Sequence, residues 1–367
     1  MLITHLFILD FKMKARLFIT VFLVLLLIPN VVLLFGLESN LETNENLKHA
    51  TFPKIEINKP TKTLSAINSF YTGNFGLKKT AVNQYIHFKR AILKEDPLPN
   101  YMVTGKDNWY FLGNQYNNVF KNTFGVIPAE KPSKILSYLN TVNQYLSNQN
   151  IKFYVVVVPD KHQIYKEYLP YTLPQGTTLL NLVKQNASLD SSHVKFVDLH
   201  KSLLDKKEQH QIYYKTDSHW DNLGAFYGYK ALMQELEKDF AITSLNKDDF
   251  NITTSLKTIG DNTKMTNLKQ EVNFVNLEPK SPNKIDVVLD DQNYLHFKNN
   301  SKTLNLLMYR DSFTNALTPF LNQTFNNVIL VRDFNVAKSH INKHNPDIVI
   351  LEIAERNLDY LSRATLK

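Results

Sequence analysis

The chain has 367 residues and no cysteine. Disulfide frameworks, thiolate zinc sites and cysteine nucleophiles are therefore excluded; an oxidising compartment is permitted but not required. An arginine-rich block, or a stripe of basic and aromatic residues that could track a nucleic acid, is also missing. The net charge of +8 comes from scattered lysines and supports no more than a mild attraction for anionic polymers or membrane surfaces. There is no internal repeat and no low-complexity tract. A composition of 43% hydrophobic and 21% charged residues suits one large globular domain or two small ones.

Charge is absent from one more place. Residues 17–35, LFITVFLVLLLIPNVVLLF, carry none and are long enough to cross a bilayer as a helix. Lys12, Lys14 and Arg16 precede the run, which by the positive-inside bias puts the N-terminus in the cytoplasm. No small-x-small cleavage site follows in GLESNLETNENL, so residues 1–36 read as an uncleaved anchor rather than a removed signal. Met13 opens MKARLF, itself a secretory n-region, and is an alternative start to Met1. Residues 37–60 are polar with prolines at 53 and 60 and read as a tether.

The remainder, 61–367, alternates apolar runs with helical stretches. FYVVVV (153–158), VKFVDL (194–199), TLNLLMY (303–309), NVILV (327–331) and DIVILEI (347–353) lack polar alternation, as expected of strands buried on both faces. Helices are expected near 132–149, 177–187, 222–238, 313–322 and 335–344. That rhythm predicts an α/β fold, a mostly parallel sheet with helices on both faces. Residues 240–300 read as an irregular insertion.

Two short stretches carry candidate chemistry. In YKTDSHWDNLGAF (214–226), Asp217 and His219 stand two apart. In an extended segment their side chains would share one side, so that the carboxylate could orient the ring. Asp-x-His alone is a weak pattern, and Asp221 suits the N-cap of the next helix. Gly224 and Ala225 are small where that helix would pass close to the sheet. In LLMYRDSFTNAL (306–317), Ser312 follows a strand and opens a helix, outside the carboxyl end of the sheet where ligands bind. The simpler reading is that Asp311 or Ser312 only caps the helix. Together the stretches supply a nucleophile, a base and an acid.

From about residue 68 onward the chain resembles the SGNH-hydrolase-like family of the alginate O-acetylation proteins (AlgX and AlgJ type). The resemblance rests on GKDNWYFLG (105–113), VVVVPDKHQIYKEYLP (155–170), YKTDSHWDNLGA, YRDSF and PDIVILEIAERNL (346–358), in that order. It implies a flavodoxin-like sheet with a circularly permuted motif order, since Asp-x-His here precedes the serine. It also implies Asp217, His219 and Ser312 as a catalytic triad, and O-acetyl transfer to an exported polysaccharide. The acetyl group would come from a membrane-bound O-acyltransferase partner, with no metal or soluble cofactor, at the periplasmic side of the inner membrane. Arg310, which stands where the wider pattern has glycine, is an oxyanion or substrate-side candidate. Gly260 or Asn262 in IGDN (259–262) is the candidate oxyanion donor, while Tyr213, Trp220 and Trp109 are candidates for stacking on sugar rings. His162 reads as structural or substrate-side rather than as a second base. The lack of room after residue 360 for a carbohydrate-binding module favours the AlgJ-like form. An acetylesterase with the same triad and a non-catalytic glycan-binding protein are the alternatives.

Overall fold

The structure, a computed structural model, describes residues 2–37, 51–116, 119–120, 127–173, 176–189, 192–262 and 270–367, with side chains from residue 13 onward. Most of the tether expected at 37–60 lies outside the described residues. Residues Met1–Pro97 form one compact unit, and a second takes almost all of the chain from Leu98 on. The first contains a long helix, Leu2–Phe35, and two shorter ones, Pro60–Gly73 and Lys78–Phe88.

The second unit is built on a seven-stranded sheet. In chain order its strands are β1 (Met102–Thr104) and β2 (Tyr110–Leu112), which pair with each other outside the main sheet, then β3 (Lys152–Val158), β4 (Lys195–Asp198), β5 (Phe250–Thr258), β6 (Glu271–Pro279), β7 (Asp286–Asp291), β8 (Tyr294–Lys298), β9 (Asn305–Tyr309), β10 (Asn327–Val331) and β11 (Ile348–Ala354). The sheet order is β4-β3-β11-β9-β10-β8-β7. The first five strands pair in parallel, and the β7–β8 hairpin adds an antiparallel edge. Each expected strand is present within two residues of its expected ends.

The valine-rich runs are buried on both faces because alternate residues enter different cores. Tyr154, Val156 and Val158 of β3 pack with Phe226 and Tyr229 of helix Asn222–Leu236 and with Leu317 and Phe320 of helix Thr314–Thr324. Phe153, Val155 and Val157 pack on the other side with Ile135, Leu139 and Val142 of helix Glu130–Ser147. A sheet covered on both faces needs no polar side, so its strands read as continuous apolar runs.

The order of the parallel strands shows the permutation. Counted from β9, with β10 second, β11 third and then back to β3 and β4, the sheet reads 2-1-3-4-5. That is the doubly wound flavodoxin-like order, in which the chain reverses direction between strands one and three. Here the reversal falls between β9 and β11, and the segment holding Ser312 leaves β9 there.

Residues 240–300 are more regular than expected. They hold a long antiparallel hairpin, β5–β6, in register from Phe250↔Pro279 to Thr258↔Glu271, and the β7–β8 hairpin. Nearly every residue of β5 after Phe250 is exposed, so its sequence, FNITTSLKT, carries no apolar alternation to announce a strand.

Candidate active site

The turn after β9 is pinned from below. Asp311 Oδ1 accepts from the Phe313 N–H (3.0 Å), and Oδ2 accepts from the N–H of Ala354 (2.8 Å) at the end of β11. The Asp311 N–H donates to Glu352 Oε2 (3.1 Å), as does the Thr314 hydroxyl (2.6 Å). Glu352 is fully buried; burial and the Asp311 charge push its pKa well above the ordinary carboxyl value, so it holds its proton. Asp311 thus pins the turn before helix Thr314–Thr324, which has no side-chain cap hydrogen bond, and the Ser312 hydroxyl has another partner. That partner is His219, whose Nε2 lies 2.7 Å from Ser312 Oγ.

Asp217 and His219 meet for a local reason that differs from strand alternation. Only Tyr213 and Trp220 pair as strand residues, and residues 215–219 bend between them. Asp217 Oδ1 accepts from the backbone N–H of His219 (2.9 Å), closing an Asx turn, and also lies 2.6 Å from Nδ1 of the same residue. Burial alone would lower the His219 pKa, yet the hydrogen bond and charge of Asp217 outweigh it and hold it above the ordinary histidine value. Burial likewise opposes ionisation of Asp217, but His219 and two backbone N–H donors bring its pKa down to about 2. The carboxylate stays charged and fixes the proton on Nδ1, leaving Nε2 facing the serine.

The bend is gripped from two sides. From one, Thr216 Oγ1 donates to Ile259 O (2.6 Å), the Ser218 N–H to Asp261 Oδ1 (2.7 Å) and the Asp261 N–H to Asp217 Oδ2 (3.0 Å); the Ser218 hydroxyl also donates to Asp261. From the other, the buried ammonium of Lys161 donates to the carbonyls of Tyr214 (3.0 Å), Lys215 (3.2 Å) and Asp217 (2.6 Å). Its three donors are thereby satisfied without a carboxylate, and burial pushes its pKa down to about 7. The GKDNWYFLG block supplies the wall behind: the Lys161 ammonium lies over the Trp109 and Phe111 rings, and the Tyr110 N–H donates to Lys215 O (2.8 Å).

Several expected roles are corrected. Tyr213, Trp220 and Trp109 are 0%, 1% and 2% exposed, so none offers a ring face to a sugar. Trp220 donates its indole N–H to Phe313 O (3.1 Å), tying the segment of Asp217 and His219 to the turn that carries Ser312. Arg310 is buried, and its guanidinium is committed to Asp311 O (3.1 Å) and Asn315 Oδ1 (2.7 Å). Asn262 is buried with its amide donating to Tyr110 O (3.1 Å). The IGDN segment does reach the site: Asp261 holds residues 217 and 218, and Gly260 stands beside it at φ 142. His162 is buried, its pKa lowered to about 3 by desolvation, with Nε2 against Leu112 O (2.9 Å), which makes it structural.

The sequence reading missed Asp160 and Arg356. They form a buried ion pair that joins the PDK block to the closing ERN, and the Arg356 guanidinium lies 5.3 Å from the centre of the Phe313 ring, itself 4.7 Å from that of His219. Only the recurrence of the two blocks in the resemblance hinted at them. Among the described residues, Asp217, His219 and Asp261 bring three ligand atoms within 4.8 Å of one another. A cation there would take the His219 Nδ1 from Asp217 and so compete with the alignment toward Ser312.

Two expected results arise from the neighbouring helix. A Cβ on Gly224 would lie 2.2 Å from the carbonyl oxygen of Ile212 and 3.0 Å from Trp220 Cβ. The close approach is thus to the strand-like segment before the bend, not to the sheet. Gly224→Ala should already cost about 1–3 kcal/mol by overpacking, read as a lower melting temperature, and Gly224→Leu should abolish activity. A Gly224→Leu variant that melts like the parent would refute the contact. Asp221, as expected, caps the helix by accepting from the Gly224 N–H (2.7 Å); burial raises its pKa to about 7. A raised acid pKa means stability is full below the unfolded value and is lost as pH rises through about 7. The melting temperature should fall between pH 5 and 8, and Asp221→Asn, which keeps the cap acceptor, should flatten that fall. Glu355, another buried carboxyl raised to about 7, adds to the fall, while His162, lowered to about 3, opposes it below the ordinary histidine value. An unchanged slope in Asp221→Asn would mean that residue 221 is already ionised in the fold.

Comparison with known proteins agrees with this geometry. The model of the family "SGNH hydrolase-like domain, acetyltransferase AlgX" matches residues 102–331. A probable alginate O-acetylase AlgJ of Pseudomonas syringae pv. tomato is 24% identical over 164 residues, 45% of this chain and 40% of the relative. Its counterpart in Pseudomonas putida is 25% identical over 177 residues, 48% of this chain and 44% of the relative. The chain thus spans about two fifths of the curated relatives it matches. Among solved structures, PatB1 of Bacillus cereus superposes with a TM-score of 0.56 at 19% identity, over 70% of this chain and 96% of that one. A DHHW family protein of Eubacterium siraeum gives 0.51 at 17% identity, over 72% and 99%. At these identities the superpositions speak for the fold, whereas the family match covers more than half of the chain and includes β9, Ser312 and the Asp217–His219 bend. The chain belongs to the SGNH hydrolase-like domain family of the acetyltransferase AlgX.

Proposed function

We propose that the protein is an O-acetyltransferase acting on an exported polysaccharide through an acetyl-serine intermediate on Ser312. The observation that carries this reading is the unbroken line Asp217–His219–Ser312, with contacts of 2.6 and 2.7 Å, at the carboxyl end of the sheet. His219 Nε2 takes the Ser312 proton as Oγ attacks the acetyl carbonyl, and returns it to the departing donor group. It then takes a proton from a sugar hydroxyl, which attacks the acetyl-serine and leaves as the acetate ester while Ser312 regains its hydrogen. Asp217 stabilises the imidazolium at both stages. Among the described residues the Ser312 N–H meets no acceptor, which leaves it to receive the tetrahedral oxyanion. The names of the curated relatives support alginate or a similar polymer as acceptor. The apolar helix over Met13–Phe35 supports anchoring at the membrane, where a membrane-bound O-acyltransferase would hand over acetyl on the periplasmic side.

The test is to incubate the protein with an acetyl donor and uronic-acid oligosaccharides and to follow acetyl by mass spectrometry. Mass gain on the sugar, with a transient acetyl on Ser312, is expected. Release of free acetate alone would make the protein an esterase; no acetyl on Ser312 and no turnover would leave it a glycan-binding relic of the fold.

A further inference from the structure

The unit formed by residues Met1–Pro97 contains a surface that the acetyl-transfer chemistry does not use. Its long helix includes the apolar run Met13–Phe35, with mean hydropathy 2.9 and almost none of it covered by protein. At about 1.5 Å per residue, that run is about 34 Å long, close to the thickness of a bilayer. The one place where the run is closely covered lies near its end. A Cβ on Gly76 would fall 2.0 Å from the carbonyl oxygen of Pro29 and 2.9 Å from the nitrogen of Leu33. Only glycine lets the turn around residue 76 sit directly on that backbone. Pro29 is six residues before Phe35, so the turn lies about 9 Å along the helix axis from its end. If the run crosses a bilayer, the turn lies about 7 Å inside the edge of the acyl region, within the depth to which the apolar face of a surface-lying helix sinks.

Two helices meet at that turn, and both leave apolar side chains uncovered. In Pro60–Gly73, Leu64 and Tyr71 are seven residues apart on one face and are 66% and 37% exposed, with Phe75 just beyond the helix end. In Lys78–Phe88 and its continuation to Leu93, Val82, Tyr85, Phe88 and Ile92 recur at three- and four-residue spacing, and all are exposed. Large contiguous apolar surface of this kind is uncommon against water. Residues 51–97 also carry eight Lys and Arg against three Asp and Glu, a net charge of +5. Aromatic and aliphatic stripes on short helices with a basic surplus suit the boundary of an anionic bilayer.

We propose that the helices over residues 60–93 lie on the surface of the bilayer crossed by residues 13–35, with Leu64, Tyr71, Phe75, Tyr85 and Phe88 seated between headgroups and acyl chains. This rests on the reading of residues 13–35 as an anchor, and the test separates the two. Because the chain has no cysteine, single cysteines can be placed at will in the full chain. We would substitute Leu25, Leu64, Tyr85, Ser69 and His87, all exposed positions, label each with an environment-sensitive fluorophore, and reconstitute in vesicles of phosphatidylethanolamine and phosphatidylglycerol doped with brominated lipid. Ser69 and His87 lie on the faces turned away from Leu64 and Tyr85 by helical spacing. Leu25 should be quenched most deeply. Leu64 and Tyr85 should be quenched by shallow bromines severalfold more than Ser69 and His87, and shielded from aqueous iodide. Quenching at Leu25 with no difference between the faces would overturn the proposal and leave the anchor standing. Absence of quenching at Leu25 would remove the anchor and the proposal together. A surface meant for a protein partner would leave Leu64 and Tyr85 as open to iodide as Ser69 in these pure lipid vesicles, which also overturns it.

Discussion

Ser312→Ala should reduce acetyl transfer to background while the melting temperature moves by no more than a few degrees. The serine hydroxyl does not cap the helix, since Thr314–Thr324 begins with no side-chain cap hydrogen bond and the turn before it is pinned by Asp311. Its one bond is to His219 Nε2, and losing a partly buried hydroxyl–imidazole bond costs about 1 kcal/mol. His219→Ala should be nearly as inactive. Asp217→Asn would leave the imidazole free to take the wrong tautomer, and the comparable change in a protease triad costs about 10⁴ in turnover. Since the three groups act as one unit, Ser312→Ala combined with His219→Ala should be little worse than Ser312→Ala alone. A Ser312→Ala protein that still acetylates would move the nucleophile elsewhere, whatever its melting temperature.

Lys161→Met should produce the other large effect, through a residue that touches no reacting atom. The methionine keeps the stem over Trp109 and Phe111 but removes the only side-chain donor, among the described residues, to the carbonyls of Tyr214, Lys215 and Asp217. A buried carbonyl left without a donor costs about 1–3 kcal/mol, so the melting temperature should drop clearly. The Asp217 bend would loosen as well, and displacement of a catalytic group by about 1 Å can cost 10²-fold in rate. The loss should fall on kcat and spare KM, since the bend orients the base rather than the substrate. Wild-type turnover in a folded Lys161→Met protein would show that the grip of residues 259–262 holds the bend alone.

These two residues differ in how visible they are before the fold is known. Asp217, His219 and Ser312, whose side chains the fold brings into contact, stand out in the sequence as candidates because their chemistry is distinctive and each sits beside a strand or helix with a strong apolar signature. The parallel strands were readable for the same reason, since a strand covered on both faces becomes an uninterrupted run such as KFYVVVV. Lys161 was visible only as part of a short block, and its role depends on which carbonyls face it, which no local pattern encodes. Trp220 and Tyr213 were misjudged because an aromatic beside a polar triad suggests a binding surface, whereas in the fold the indole N–H finds Phe313 O and the ring packs away. Strand β5 escaped notice because an exposed strand of Asn, Thr and Lys has neither alternation nor a buried face to report, although its partner β6 buries Val272 and Leu277.

Synthesis proceeds from low residue numbers to high, but the sheet does not. β11 lies between β3 and β9, yet Ile348–Ala354 is made after the other six strands. Without it, the pairings β4–β3 and β9–β10–β8–β7 are separate, and β3 and β9 each lack the neighbour that β11 supplies. Such edges invite pairing with other chains, so the half-made protein is the state most exposed to aggregation. The turn bearing Ser312 is likewise unpinned at that stage, because Glu352 and the Ala354 N–H are on the missing strand. The late arrival of one central strand therefore both closes the sheet and fixes the turn that brings Ser312 to His219.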